Sequence, residues 1–468
     1  MPAWQAARDL WQSLGLPSDA LAMLELSGTA PVLPSSFAVA TAAQASLGAA
    51  ALAAAELWQL RGDAPQRQHV TVPREHAVLE CLGWFTIDGR EPLVWDKLSG
   101  LYPCGADAGQ AGWVRIHANF AHHRDGALKL LGLPTGQGTE KPSVIQALRA
   151  WPALDFEVAA AQAGLVVSAA RSFDEWDAHP QAQALKDQPV VRLTRIGEAP
   201  PRAWPRLPAG SQPLQGLRVL DLTRILAGPV AGRTLAAYGA DVMLVNAPHL
   251  PNIDAIADTS RGKLSTHIDL RAPQGQAQLH ALLQEAHIFM QAYRPGGMAD
   301  LGLAPEALAQ QRPGIVAVSL SAYGPEGPWS SRRGFDSLVQ TATGFNLAEA
   351  VATGSPDPKP MPLQILDYAA GYLLTFGAQA ALWKQAHEGG SWHVEVSLAG
   401  VGQWLRRLGR VPDGFTHTGK PDLKPYLAHE PSGFGQLLTM RHAAVFSATP
   451  ARWKRKAMPP GTHPPVWP

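Results

Sequence analysis

The sequence predicts an α/β protein, with a parallel Rossmann-like sheet covered by helices and a second, smaller α+β domain. Between about residues 214 and 405, short apolar runs alternate with segments of helical periodicity. Such an alternation predicts β-α-β units, in which helices cover parallel strands. Ligands of these sheets bind beyond the carboxyl ends of the strands. We expect strands at 217–222, 242–245, 287–290 and 315–321, and helices at 230–238, 274–285 and 305–311.

The composition is that of a chain with a large buried core. Of its 468 residues, 46% are hydrophobic and 16% are charged, and the formal net charge is +1. No overall field attracts nucleic acid or an acidic membrane, so we expect neither as a partner. Two cysteines, Cys81 and Cys104, are too few for a disulfide framework and predict a cytoplasmic location. The uncharged stretch 27–55 is mostly alanine and contains Pro31 and Pro34, which favours a buried helix over a membrane span.

Three regions differ in composition, and we take them as residues 1–205, 206–410 and 411–468. The first opens with a short amphipathic helix and is expected to hold the smaller domain. A Pro-dense linker at 199–213 separates it from the strand and helix alternation. The last region is rich in Pro, Gly and basic residues, and we expect it to lie extended across the surface.

One early segment resembles a later one. The stretch around Trp58 and the stretch around Trp383 each read as an Ala-rich helix, a loop and a His-Val-x-Val strand. Such a likeness favours an internal repeat, although Ala-rich helices resemble one another in any case. If the repeat is real, Ala42 takes the position of Asp367. That copy would lack a nucleophile and would have a structural role.

The turn after the first predicted strand has the features of an anion site. Gly228 is expected at a helix N-cap and Pro229 at the first helical position, where its missing N–H costs nothing. The free amides of that turn then face the strand's carboxyl end and suit a phosphate or a thioester oxygen. The Gly patterns of dinucleotide-binding and P-loop sites are missing from the sequence.

Several cations fall in loops beside the predicted strands. Guanidinium and ammonium groups there suit the phosphates of a nucleotide-like cofactor. Ordinary surface charge is the alternative for any one of them. The cations are Arg261, Lys263, Arg294, Arg332 and Arg333.

Asp367 is the candidate nucleophile. It is the only acidic residue between Asp357 and Glu388, and it opens an otherwise apolar predicted helix. A helix N-terminus stabilises the carboxylate anion, which suits a nucleophile. The spacing alone fits an ordinary N-cap aspartate equally well.

The segment HANFAHHRD concentrates His117, His122 and His123. Their spacing matches no common zinc or metalloprotease pattern, so we expect no metal site. A G-x-S-x-G elbow is also missing from the sequence, which argues against a serine hydrolase.

Ordered blocks beginning at PLQGLRVLDLTRILAGPVAGRTLAAYGADVMLV closely resemble the class III CoA-transferases, the CaiB/BaiF family. The likeness continues through RGKLSTHIDLRAPQG, QAYRPGGMADLGL, VSLSAYGPEGPWSSRRGFDSLVQTATG, LQILDYAAGYLLTFGAQAAL and WHVEVSLAG. The resemblance implies coenzyme A, as an acyl-CoA substrate, with a carboxylic acid acceptor. It makes Asp367 the nucleophile and implies a homodimer. The residues it places near CoA are Ile225, Ala227, Arg261, Lys263, Tyr293, Arg294 and Arg333.

The order of the regions differs from that of an ordinary family member. Residues 1–205 resemble the latter part of a family domain, so the chain is in a tail-then-head arrangement, either permuted or a reduced tandem fusion. Three positions in the CoA-binding loops also depart from the family: Asn246 for an acidic residue, Ala292 for Asn and Asp300 for Arg.

The resemblance implies an acyl-CoA:carboxylate CoA-transferase that forms an aspartyl acyl-enzyme and an aspartyl-CoA thioester. An α-methylacyl-CoA racemase shares the fold and is the first alternative. Related racemases carry a His where this chain has Phe335, which cannot move a proton. A non-catalytic acyl-CoA-binding protein is the second alternative, and the intact Asp367 argues against it.

Overall fold

The computed structural model describes residues 1–62, 67–208, 210–416, 419 and 421–468. Its strands, in chain order, are β1 (Leu24–Glu25), β2 (Val70–Thr71), β3 (Phe85–Ile87), β4 (Gly100–Cys104), β5 (Gly112–Ile116), β6 (Val167–Ala169), β7 (Arg192–Gly197), β8 (Arg218–Asp221), β9 (Asp241–Asn246), β10 (Leu264–His267), β11 (Ile288–Gln291), β12 (Val316–Ser321), β13 (Ser391–Ser397), β14 (Leu427–Ser432), β15 (Gly435–Met440) and β16 (Val445–Phe446).

Helices account for most of the remaining regular structure. They are α1 (Ala3–Ser13), α2 (Val39–Arg61), α3 (Arg74–Glu80), α4 (Ala121–Leu130), α5 (Lys141–Leu148), α6 (Ala153–Gln162), α7 (Phe173–Asp177), α8 (Pro180–Leu185), α9 (Ala227–Ala237), α10 (Ile256–Thr259), α11 (Pro273–Glu285), α12 (Pro305–Gln311), α13 (Asp336–Ala342), α14 (Phe345–Thr353), α15 (Ile365–Glu388) and α16 (Leu398–Arg407).

The centre of the fold is a sheet with the strand order β10-β9-β8-β11-β12-β13-β7. Neighbours from β10 to β13 pair in parallel, whereas β7 pairs antiparallel with β13 at the edge. Each predicted strand and helix of residues 214–405 is present, with bounds shifted by at most a few residues. The prediction of a parallel sheet covered by helices is therefore confirmed.

Successive residues of the central strands pack on opposite faces of the sheet, as the two-residue period of a strand requires. In β8, Val219 joins the core formed with α2, α9 and α15, while Leu220 joins the core formed with α11 and α12. Helices therefore bury both faces, and this is why the strands are continuous apolar runs rather than alternating ones.

The two long helices α2 and α15 pack together on one side of the sheet. Alanines line α2 on nearly all sides and are buried, and their small side chains let the helices approach closely. Gln379 of α15 adds a hydrogen bond from its Nε2 to the backbone oxygen of Ala50, at 2.9 Å. As expected, a helix begins near Ala42, which is fully buried and has no reactive group.

The first region also contains the smaller α+β unit. Strands β4, β5 and β6 form an antiparallel sheet, and helices α4, α5 and α6 cover it around a separate apolar core. The amphipathic helix expected at the N-terminus is α1. Among the described residues, none of the helices combines the length and apolar character needed to cross a bilayer.

The last region differs from the expected extended tail. Strands β14 and β15 form an antiparallel hairpin that pairs with β3, and β16 pairs with β2. The tail therefore adds strands to sheets begun in the first region, which single-sequence patterns do not show. Only residues 447–468 lie extended, where Trp453 and Trp467 donate their indole N–H groups to the backbone oxygens of Arg233 and Leu282.

Residues 206–468 produced alone should be insoluble, because the fragment lacks β7 at the sheet edge and α2 on the face of α15. An open edge and a large apolar face both promote association. Co-expression with residues 1–205 should restore soluble protein, measured by fractionation and gel filtration, with the full chain as control. A soluble, monomeric 206–468 fragment would contradict this dependence.

Candidate active site

Asp367 lies in the first turn of α15, and its side chain is 9% exposed. The N-cap residue is Gln364, and within the described chain its side chain makes no capping bond. The alternative of an ordinary N-cap aspartate is therefore wrong. Asp336 serves this helix end instead, since its Oδ2 accepts the backbone N–H of Asp367 at 2.9 Å.

Asp336 opens α13 and is completely buried. Besides the amide of Asp367, its carboxylate accepts a hydrogen bond from the Gln340 amide. Gln340 in turn accepts the backbone N–H of Met361 at 3.1 Å and donates to the backbone oxygen of Leu363 at 3.3 Å. This network fixes the chain that leads into α15 and so fixes Asp367.

The two carboxyl groups raise each other's cost of ionisation. Burial raises the pKa of Asp336, although the hydrogen bonds from Asp367 and Gln340 partly oppose the shift. Burial, and then the Asp336 charge, raises the pKa of Asp367 well above its ordinary value. An ionised Asp367 is therefore poorly solvated, which makes its carboxylate a stronger nucleophile.

A cavity of about 350 Å³ opens beside Asp367, and we call it the cationic cavity. It lies beyond the carboxyl ends of β8, β11 and β12, where the sheet was expected to bind ligands. Five residues that the family resemblance places near CoA line it, together with Arg224 and Arg332. These five are Ile225, Ala227, Tyr293, Arg294 and Arg333.

Arg294 and Arg333 give this cavity its positive charge. Among the described residues, neither has an acidic partner within salt-bridge distance, whereas Arg332 lies 3.5 Å from Glu157. Burial lowers the pKa of Arg333, and repulsion from Arg294 lowers it further. Two neighbouring guanidinium groups without anions suit a phosphate-bearing ligand.

The turn between β8 and α9 borders the cavity and is strained. Ile225 has a φ of 77°, a left-handed conformation that a β-branched residue rarely adopts. Strain of this kind concentrates at ligand sites. The helix begins at Ala227 with Leu226 as its N-cap, two residues before the expected Gly228. A side chain at Gly228 would meet the Thr223 Cβ at 2.3 Å, so this approach requires glycine.

Arg261 and Lys263 do not reach the cavity, and this corrects the expectation that they contact CoA. Lys263 is fully buried, and its Nζ donates to Asp221 Oδ2 and to the Pro229 backbone oxygen, both at 2.9 Å. Arg261 is also fully buried, 3.8 Å from the centre of the Trp453 ring. Both cations hold loops and tail together rather than face a ligand.

A second cavity, of about 150 Å³, also borders Asp367, and we call it the apolar cavity. Asp367, Ile225, Leu226 and Phe335 border both cavities. The remaining lining residues are Leu82, Gly83, Phe85, Val94, Trp95, His117, Asn119, Ile253, Ala255, Asp258, Thr259, Ser337, Gln364 and Tyr368.

His117 is a site residue that the sequence did not reveal. Its ring stacks on Phe335 with 4.0 Å between centroids, and it lines the apolar cavity. Burial lowers the pKa of His117 to about 3, so the imidazole is neutral at physiological pH. His122 and His123 line the cationic cavity instead. The HANFAHHRD segment was the available signal, but nothing in it pointed to contact with a residue 218 positions later.

The residues that depart from the family pattern have different placements. Ala292 lines the cationic cavity, whereas Asp300 lies in a short 3-10 helix outside both cavities. Asn246 is buried, and its Oδ1 accepts a hydrogen bond from the Asn252 amide at 3.0 Å. The acid gained at Asp300 therefore adds no negative charge to the cavity walls.

Comparison with known proteins agrees with these features. Residues 214–407 match the model of CoA-transferase family III. A probable fatty acyl-CoA transferase of Mycobacterium tuberculosis is 36% identical over 42% of this chain and 53% of its own length. The succinate–glutarate CoA-transferase of Agrobacterium fabrum is 31% identical over 48% of this chain and 60% of its own length.

Solved structures also show similarity to part of this chain. A CaiB/BaiF family protein from Brucella suis is 26% identical, with a TM-score of 0.38, over 48% of this chain and 65% of that one. The chain spans a little over half the length of the two curated relatives described above. Residues 214–407, which carry Asp367 and most of the cationic cavity, are therefore similar to CoA-transferase family III.

Proposed function

We propose that this chain is an acyl-CoA:carboxylate CoA-transferase with Asp367 as its nucleophile. The presence of Asp367 in the walls of both the cationic and the apolar cavity carries the proposal. A CoA thioester has phosphates on one side of its carbonyl carbon and an acyl group on the other. With the phosphates in the cationic cavity and the acyl group in the apolar cavity, the carbonyl carbon lies beside the Asp367 carboxylate.

The first half-reaction transfers CoA to the enzyme. A carboxylate oxygen of Asp367 attacks the thioester carbonyl, the C–S bond breaks, and a mixed anhydride and CoA thiolate form. The thiolate then attacks the Asp367 carbonyl of the anhydride. The anhydride C–O bond breaks, which releases the donor carboxylate and leaves an aspartyl-CoA thioester. Covalent catalysis divides one difficult exchange into easier steps.

The second half-reaction repeats the exchange with the acceptor. The acceptor carboxylate attacks the aspartyl thioester, the C–S bond breaks, and a new anhydride and thiolate form. The thiolate attacks the acceptor's acyl carbon and restores the Asp367 carboxylate. No net proton or electron is gained or lost across the cycle. The product is the acceptor's CoA thioester.

Other residues support these steps. Arg294 and Arg333 bind phosphates of CoA through charge-assisted hydrogen bonds. The start of α9 borders the cationic cavity at Ala227, and we propose that backbone N–H groups of this turn stabilise the negative oxygen of each tetrahedral intermediate. Asp336 keeps the first turn of α15 in place, so that Asp367 needs no rearrangement before it attacks.

A racemase would need an acid and a base on opposite sides of the substrate α-carbon. Phe335 provides neither, and His117, which stacks on it, has a pKa of about 3 and is a weak base at neutral pH. Transfer therefore remains the better proposal. The homodimer implied by the resemblance, and the cytoplasmic location implied by the two reduced cysteines, are parts of the same proposal.

Asp367→Ala should abolish CoA transfer, with a loss of at least about 1000-fold, because no other residue replaces the nucleophile. Peptide mass analysis after incubation with an acyl-CoA should show an adduct on Asp367 in the natural protein and none in the variant. The variant should unfold at the same temperature or a higher one, because a carboxylate disfavoured by burial is removed. Undiminished turnover by Asp367→Ala would rule out this mechanism, and an unmodified natural protein would favour a binding protein.

Arg333→Ala should raise the KM for the thioester by roughly three- to tenfold with little change in kcat, because a partly exposed ionic contact contributes about 1 kcal/mol. Lys263→Ala is the matched cation control. It should instead lower the free energy of unfolding by about 3–5 kcal/mol, because it leaves Asp221 buried without its partner. Steady-state kinetics measure the effect on KM, and urea unfolding measures the effect on stability. A higher KM in Lys263→Ala but not in Arg333→Ala would show that Lys263, and not Arg333, binds the thioester.

The rate of Asp367 acylation should rise with pH through a midpoint well above the ordinary carboxyl value of 3.8, because only the anion attacks. Asp336→Asn keeps an oxygen for the Asp367 amide but removes the repelling charge. The midpoint should therefore move to lower pH in this variant. Single-turnover rates between pH 4 and 8 measure the shift, and an unchanged midpoint would show that the two carboxyl groups are not coupled.

A further inference from the structure

We infer that the apolar cavity selects an uncharged, apolar acyl group of roughly benzene size, and that Trp95 of the first region limits its length. The inference rests on the proposed CoA transfer at Asp367. CoA transfer of this kind is compatible with very different acyl groups, and the inference names the class of acyl group for this chain.

The charges around the apolar cavity argue against a dicarboxylic substrate. Across the described residues that line it, there is no Lys or Arg, and the two charged groups are the acids Asp258 and Asp367. Asp258 is already paired with Arg233 and Arg261. A second carboxylate on the acyl chain would enter without a cationic partner and would face two acids, so its desolvation would not be compensated.

Apart from these two acids, the polar groups that line the apolar cavity are neutral. His117 Nδ1 and Ser337 Oγ are buried and have no hydrogen-bond partner within the part of the chain that the structure describes. Buried polar atoms without partners are uncommon and mark places where a ligand or water completes the bonding. Both groups can form a hydrogen bond with a neutral substituent of the acyl group. Neither can balance the charge of a carboxylate, because the Ser337 hydroxyl is uncharged and the pKa of His117 is about 3.

The size of the cavity restricts the chain length. An apolar cavity of about 150 Å³ in another protein takes up benzene, which has six carbon atoms. The apolar cavity here has the same volume, about 150 Å³. Acyl groups of about four to six carbons therefore match the volume of the cavity, and long fatty acyl chains exceed it.

One side of the apolar cavity is formed by aromatic rings, two of which, Trp95 and His117, belong to the first region. The Trp95 ring meets His117 edge-on at 6.0 Å, and His117 stacks on Phe335 at 4.0 Å. Trp95 lines the cavity and is 40% exposed, so its side chain borders both the cavity and solvent. Its neighbour Leu93 is 90% exposed and does not line the cavity, which makes it a matched apolar control.

The experiment compares CoA transfer from butyryl-, hexanoyl-, dodecanoyl-, succinyl- and glutaryl-CoA to acetate in the full-length protein. Butyryl- and hexanoyl-CoA should have a kcat/KM at least about tenfold above the two dicarboxylic thioesters, a ratio within the range of a small hydrophobic pocket. Trp95→Ala should raise the dodecanoyl to butyryl ratio by about tenfold. Leu93→Ala should leave that ratio unchanged, and equal melting temperatures exclude a folding defect.

Binding to the Asp367→Ala variant provides a readout that needs no turnover. Calorimetry should show that butyryl-CoA binds more tightly than glutaryl-CoA or free CoA. Tighter binding or faster transfer with succinyl- or glutaryl-CoA overturns the inference and leaves the transferase proposal intact. If no thioester supports transfer, the transferase proposal fails, and the binding order still decides what the cavity accepts.

Discussion

The burial of the first turn of α15 is the constraint on which the candidate site depends. A helix that starts inside a protein must satisfy its free N–H groups, and here the Asp336 carboxylate accepts the amide of Asp367. The cap is itself an acid, so its negative charge, together with burial, raises the pKa of Asp367. The same pair therefore fixes the helix end and holds two acids together in the core.

A second buried pair, Lys263 with Asp221, supports the turn that borders the cationic cavity. It connects the end of β8 to the backbone of α9, and so supports the strained turn that contains Ile225. Arg224, Arg294 and Arg333 line the cavity and have no acidic partner among the described residues. Lys263 and Arg261 are paired with buried acids and stabilise the fold, whereas Arg294 and Arg333 lack such partners in the part of the chain that the structure describes and line the cavity.

Much of this fold follows from local patterns, and much of the site does not. The strands β8 to β12 are apolar runs punctuated by glycine and proline, and burial on both faces explains them without further information. Asp367 is visible as a lone acid in an apolar helix. Arg261 and Lys263 were misplaced because sequence spacing does not show that Asp258 and Asp221 lie beside them in space. The β14–β15 hairpin pairs with β3 more than 300 residues away, and the contact of His117 with Phe335 joins residues 218 positions apart.

The packing of α2 against α15 has a consequence for synthesis. A ribosome adds about 5–20 residues each second, and roughly 300 residues separate these two helices, so α2 waits on the order of 15–60 seconds for its partner. During that interval an alanine-lined helix with almost no polar face emerges without the surface that buries it. The nascent chain is therefore a natural client for chaperones that bind apolar segments. The Asp367 carboxylate, on the later helix, cannot be positioned before that interval is over.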